Sequence, residues 1–208
     1  MSAPPTKPAR IDGRRLRSER TKQLIIEAYL ALAHEISPRV PTAAEIAERA
    51  GYSVRSVFER FPDIRALQIA AVDYAVAQLA ALGPPRGADG DRRTRLQSQV
   101  ATRAQTCERW LPLWRSLIVN QGNSSELKER IKLSRERAMA RLELMYAPEL
   151  ARLPDNERRW MVIALEALTD VESWARMREF FGLSFDEACL VWMQAIDRLL
   201  PLETPDRR

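Results

Sequence analysis

Apolar residues recur every three or four positions along nearly the whole chain, while runs that alternate apolar and polar with period two are almost absent. A repeat near 3.6 residues buries one face of a helix and cannot line one face of a strand, so the expected fold class is all-α. Between residues 24 and 36, Ile25, Ala28, Tyr29, Leu32, Ala33 and Ile36 make one such face, and Pro38 and Pro41 end it. Thr42-Ala43-Ala44-Glu45 then reads as a capping box, in which the Thr hydroxyl accepts from a first-turn amide and the Glu reaches back to the cap. Gly51 suits the left-handed turn that closes a short helix, and Ser53 can cap the next, through Phe61. Pro62 and Asp63 separate this pair from a long helix over 64–82. The loop from Gly83 to Gly90 holds three of the seven glycines. Further helical patterns cover 91–109, 112–121, 124–146, 156–181 and 184–200, giving about nine helices. Pro112 is expected in a first helical turn, where its missing N–H costs nothing.

The 208 residues, 46% of them hydrophobic, provide a real core and exclude a disordered tail. The net charge of +5 is unevenly placed. Lys7, Arg10, Arg14, Arg15, Arg17, Arg20 and Lys22 are opposed in that stretch only by Asp12 and Glu19, so the whole excess belongs to the first residues. A basic arm beside a folded body suits phosphate, although basic termini are also often solvated tails. Cys107 and Cys189 lie far apart without a C-x-x-C pair, which indicates neither a disulfide framework nor a zinc site. Residues 1–10 contain no apolar signal core, and the alanine-rich run 66–82 is interrupted by Gln68, Asp73 and Gln78. A cytoplasmic protein without membrane span, metal or cofactor is the expectation.

Residues 42–61 describe two short helices joined by Ala50-Gly51-Tyr52 and preceded by a longer helix that can pack across both. This is the layout of a helix-turn-helix, whose second helix fits the major groove. The run Thr42-Ala43-Ala44-Glu45-Ile46-Ala47-Glu48-Arg49-Ala50-Gly51-Tyr52-Ser53, followed by Val57-Phe58-Glu59-Arg60-Phe61-Pro62-Asp63 and Ala66-Leu67, closely resembles the N-terminal domain of the tetracycline-repressor-like (TetR) family. The resemblance covers about residues 17–70. It implies a basic flexible arm over 1–15, a helix-turn-helix DNA-binding domain over 16–62 and a helical regulatory and dimerisation domain over 63–208. It also implies a dimeric repressor that leaves its palindromic operator when a small, largely apolar ligand binds.

Carried onto this sequence, the resemblance places Thr42 on a phosphate, and Ser53, Val54, Arg55 and Ser56 toward base edges or nearby phosphates. Arg55 would meet guanine in bidentate fashion or a phosphate without reading sequence. Three positions depart from the family pattern. Phe58 replaces a usual phosphate-binding Tyr, which leaves it a packing role, Arg60 replaces a frequent His, and Ile64 occupies the usual Lys position. Arg65, one residue on, points about 100° away on a helix. Arg14, Arg15 and Arg17 are expected before the first helix, as an arm along phosphates or in the minor groove.

The segment from Trp160 to Leu168 is apolar on almost every side and continues through Val171 and Trp174, so this helix requires a second neighbour. Gly182 and the capping box Ser184/Glu187 join it closely to a last helix. Trp160, Ile163, Ala167, Val171 and Trp174, with Trp192, Ala195, Ile196 and Leu199, form the expected homodimer face, a four-helix bundle across a two-fold axis. The candidate ligand lining is Trp110, Trp114, Leu117, Met139, Leu142 and Tyr146, with Gln121, Glu143, Glu166 and Asp170 as polar groups. The same residues also describe an ordinary core. His34, the single histidine, has no sequence-adjacent nucleophile, and no P-loop or G-x-G-x-x-G occurs, so an enzyme is not indicated. The alternative is a ligand-independent helical adaptor that binds protein partners.

Overall fold

The computed structural model describes residues 13–81, 83 and 85–202, and all regular structure among them is helical. α1 (Gly13–Ile36) crosses α2 (Ala43–Ala50) and α3 (Val54–Phe58), burying Ile25, Tyr29, Leu32 and Ala33 against Ile46, Ala47, Val57 and Phe61. α4 (Ile64–Ala80) closes this small domain with Leu67. Farther along, the same helix contributes Ala71, Val72 and Ala75 to a continuous cluster with Leu113, Leu117, Leu127 and Ile131. One core therefore runs from the N-terminal domain into the body of the protein, and α4 is the element common to both.

The body consists of α5 (Arg92–Asn120), α6 (Ser125–Met145), a single turn α7 (Ala147–Leu150), α8 (Asp155–Leu168), α9 (Val171–Ala175) and α10 (Phe185–Leu199). A π-helical turn over Arg176–Phe180 extends α9. A second core joins α5 to these helices through Val100, Ala104, Cys107, Leu142, Leu165, Trp174, Trp192 and Ile196. The Trp174 and Trp192 rings lie 5.0 Å apart, and the Trp174 indole N–H donates to Glu108 at 2.6 Å. Glu149 is buried in the same region, where its Oε1 accepts from the Arg95 guanidinium and its Oε2 has no hydrogen-bond partner among the described residues. Burial pushes the Cys107 thiol up to about 11, which keeps it protonated and leaves it a packing residue.

Several boundaries differ from those read in the sequence, each for a local reason. α1 starts at Gly13, so Arg14, Arg15 and Arg17 lie in its first turns and not in an arm before it. That stretch has no apolar stripe, but Arg, Leu and Lys are good helix formers, and the helix begins where propensity permits. Residues 1–12, the rest of the expected arm, lie outside the described residues. The patterns at 91–109 and 112–121 are one helix, with Pro112 in its interior. An internal proline costs about 3 kcal/mol; Leu113 and Leu117 in one core and Ala104 and Cys107 in the other hold both halves in line.

The expected helix over 156–181 breaks at Thr169. Its hydroxyl donates to the Leu165 carbonyl at 2.7 Å, and Asp170 caps α9 by accepting from the Ser173 N–H at 2.6 Å. Among the described residues no helix is long and apolar enough to cross a membrane.

Candidate nucleic-acid interface

The geometry of α2 and α3 is set by their caps. Thr42 accepts from the Glu45 N–H, and Glu45 accepts from the Thr42 N–H at 2.8 Å, completing the capping box. Arg39 adds a two-pronged contact to the same carboxylate, at 2.8 and 3.1 Å. The Arg39 guanidinium and the Thr42 donors hold the Glu45 carboxyl down at about 2, so the strut is ionised throughout the neutral range. Arg49 grips Glu35 in the same way and ties α2 to α1. Gly51 ends α2 with φ 73°, a left-handed conformation that lets its own N–H and that of Tyr52 return to the helix carbonyls. Ser53 then caps α3 by accepting from the Ser56 N–H at 3.1 Å.

Val57 is buried beneath α3, which fixes the opposite face outward. That face presents Ser53, Val54, Arg55, Phe58 and Glu59. Arg55 is exposed, its side chain 87% accessible and steadied by Glu59 at 2.9 Å. Phe58 is 45% exposed and shares an apolar strip with Val54, one turn away, so it does not have the packing role expected for it. Arg60 turns back and donates to the Ser56 carbonyl at 3.2 Å, closing the C-terminal end of α3. Thr42 is exposed at the start of α2, and Ser56 lies half-buried beside Ser53. Arg14, Arg15 and Arg17 are exposed on α1. Ile64 packs on the N-terminal core and anchors α4, while Arg65 is exposed.

The candidate dimer face divides in two. Trp160 is 62% exposed, and with Ile163, Ala164 and Ala167 it makes an open apolar stripe on α8. Val191 and Leu199 are exposed on α10, with Ala195 half-buried between them. Trp174, Trp192 and Ile196, expected on this face, are instead fully buried in the body, and Val171 is half-buried. The cap at Asp170 restarts the helix in a new phase, and that change turns Trp174 inward.

A cavity of about 580 Å³ lies between α4, α5, α6 and the α8–α9 junction. Trp110, Trp114, Leu117, Leu142, Glu166 and Asp170 are at its wall. Gln121, Met139, Glu143 and Tyr146 are not, contrary to expectation. Gln121 donates to the Ile118 carbonyl at the helix end, Met139 and Tyr146 pack in the second core, and Glu143 faces outward. Sequence reasoning missed the α4 wall of Val72, Ala75, Val76 and Leu79, and the polar end formed by Gln99, Arg103 and Arg141. One signal was available: Gln99, Arg103, Thr106, Trp110, Leu113 and Leu117 follow helical spacing on one face of α5, polar first and apolar after. Desolvation lowers the pKa of Arg141, which lies half-buried in that wall. Among the described residues no group of three or more His, Cys, Asp or Glu is placed to hold a metal.

No protein-family model matches the chain, and no curated protein matches it significantly. Solved structures do resemble it. A TetR-family transcriptional regulator from Streptomyces coelicolor superposes with a TM-score of 0.70 at 20% identity, over 87% of this chain and 80% of the other. NalD of Pseudomonas aeruginosa, described as the secondary repressor of the MexAB-OprM multidrug efflux pump, gives 0.64 at 19% identity, over 90% of this chain and 100% of its own. A further structure of the same family description, from Rhodococcus sp., gives 0.63 at 18% identity, over 86% and 98%. The fold is that of TetR-family regulators: a helix-turn-helix domain followed by a helical C-terminal domain.

Proposed function

We propose that this chain, built on the TetR regulator fold, is a sequence-specific DNA-binding transcriptional regulator that acts as a homodimer and represses from a palindromic operator. The observation that carries the proposal is α3. It is anchored from below by Val57, capped at both ends by its own side chains, and bare on the face holding Ser53, Val54, Arg55 and Phe58. A short helix whose outer face is free and whose inner face is locked can be laid in a major groove without refolding. Arg55 supplies the fork for guanine or phosphate, and the Val54–Phe58 strip suits thymine methyl groups. Thr42 and the arginines of α1 supply phosphate contacts on either side.

The stripes on α8 and α10 give the two-fold mate a place to pack, which sets two α3 helices about 34 Å apart, one turn of DNA. Release follows from α4. Val72, Ala75 and Val76 line the cavity and Leu67 sits in the DNA-binding core, all on one helix. Ser37, in the turn after α1, also donates to the Pro112 carbonyl of α5 at 2.8 Å, and Asn120 donates to the Pro38 carbonyl at 3.1 Å. A ligand that fits the cavity better in one position of α4 shifts the protein toward that position and away from operator spacing. NalD, a repressor with this fold, supports repression as the direction of control.

A mobility shift with DNA from upstream of the chain's own gene tests the proposal. Retardation that survives excess competitor DNA is expected. No retardation at low salt overturns the DNA reading in favour of a protein-binding adaptor.

A further inference from the structure

The cavity has two chemically distinct ends, and its polar end holds two guanidiniums that form no ion pair with a carboxylate of the described residues. Arg103 of α5 is held by its Nε, which donates to the Thr169 carbonyl at 2.8 Å. Arg141 of α6 is held by its Nε, which donates to Gln99 Oε1 at 2.7 Å. Gln99 and Arg103 are one turn apart on the same face of α5, so both guanidiniums are brought to one end. In both, the two terminal nitrogens make no hydrogen bond to a described residue, and no carboxylate of the described residues lies within 4.0 Å.

Partly buried arginines elsewhere in this protein are treated differently. Arg115 has Glu179, Arg130 has Asp73, Arg178 has Glu108 and Arg92 has Asp197. Leaving a guanidinium half-desolvated and unpaired costs free energy, and two such groups facing one space are two forks shaped for a planar anion. The wall as a whole carries five arginines against Glu166 and Asp170, and the Asp170 carboxylate is already engaged as the cap of α9. The other end is apolar, with Val72 and Val76 on α4 and Trp110, Leu113 and Leu117 on α5. From Arg103 to Leu117 the helix rises about 21 Å, which makes the space long as well as two-ended.

We infer that the ligand of this cavity is an anionic amphipath, a carboxylate with a long apolar tail, its head gripped by the terminal nitrogens of Arg103 and Arg141. The inference rests on the reading of the cavity as the effector site and adds its chemistry. The tail lies along α4, the helix shared with the DNA-binding core, so a longer tail presses on the element that sets α3.

Calorimetric titration of the full-length protein with decanoate, decanol and decylamine tests this. Decanoate is expected to bind at least about tenfold more tightly than decanol, and decylamine not at all. Arg103→Gln and Arg141→Gln should each weaken decanoate about ten- to a hundredfold and leave decanol unchanged, while Arg93→Gln, the same charge change outside the cavity, should alter neither. Thermal unfolding of each variant reports that it is folded. Equal or tighter binding of decanol or decylamine, or unchanged decanoate binding in both cavity variants, overturns the anionic assignment and leaves the effector cavity standing. Binding of none of the three overturns the cavity reading as well.

Discussion

Glu45 ties the start of α2 through Thr42 and Arg39, and its depressed pKa gives that tie a pH dependence of known sign. A carboxyl held at about 2 when folded and at its ordinary 4.5 when unfolded adds stability that is fully present above 4.5 and lost as the pH falls toward 2. Glu45→Gln should therefore melt below the parent at neutral pH, and the two melting curves should converge near pH 2. Thermal unfolding followed by circular dichroism across that range checks it, and a gap that persists at pH 2 contradicts the assignment. Most of this residue-scale chemistry was legible in the sequence. Caps such as Thr42/Glu45, Gly51 and Ser184/Glu187 are decided within four residues, and they stand where the pattern put them. Arg60 was not legible as a cap, because nothing in its neighbours says whether a long cation will reach outward or fold back on a carbonyl.

At the scale of elements, periodicity located the helices, while their phase depended on single residues. Trp160, Ile163 and Ala167 keep one 3.6-residue phase, and continuing it through Val171 and Trp174 assumes an unbroken helix. Asp170 ends that phase, so Trp174 belongs to the core while Trp160 stays outside. Ile163→Arg should consequently give a folded monomer, seen by light scattering with little change in melting temperature. Trp174→Ala should instead cost about 3–5 kcal/mol of stability, read by denaturant unfolding, because it empties the centre of the second core. If Ile163→Arg remains dimeric, the α8 stripe is not the interface. α1 gives the second prediction at this scale. Its arginines lie on a helix and can track phosphates only from a fixed geometry, so replacing Arg14, Arg15 and Arg17 together by Gln should flatten the salt dependence of DNA affinity by up to about three in the log–log slope. An unchanged slope removes α1 from the DNA contact.

Over the whole molecule, the two cores meet on α5 and α6, and α4 runs from the cavity wall into the N-terminal core, which is the route the proposed control uses. The sequence pattern divided the chain into an N-terminal helix-turn-helix and a larger helical body, but it could not show that α5 passes uninterrupted through Pro112, since the packing that supports an internal proline comes from helices distant in the chain. Nor could it show the α4 wall of the cavity, because Val72 and Val76 read as core from spacing alone. In the proposed dimer, two copies of α3, set apart by the body, read the two halves of one site. Footprinting of the full-length protein on its upstream DNA should show two protected half-sites about one helical turn apart, weakened by roughly 1–3 kcal/mol in Arg55→Ala and lost together in Ile163→Arg. A single protected half-site, or a footprint unchanged in both variants, would contradict it.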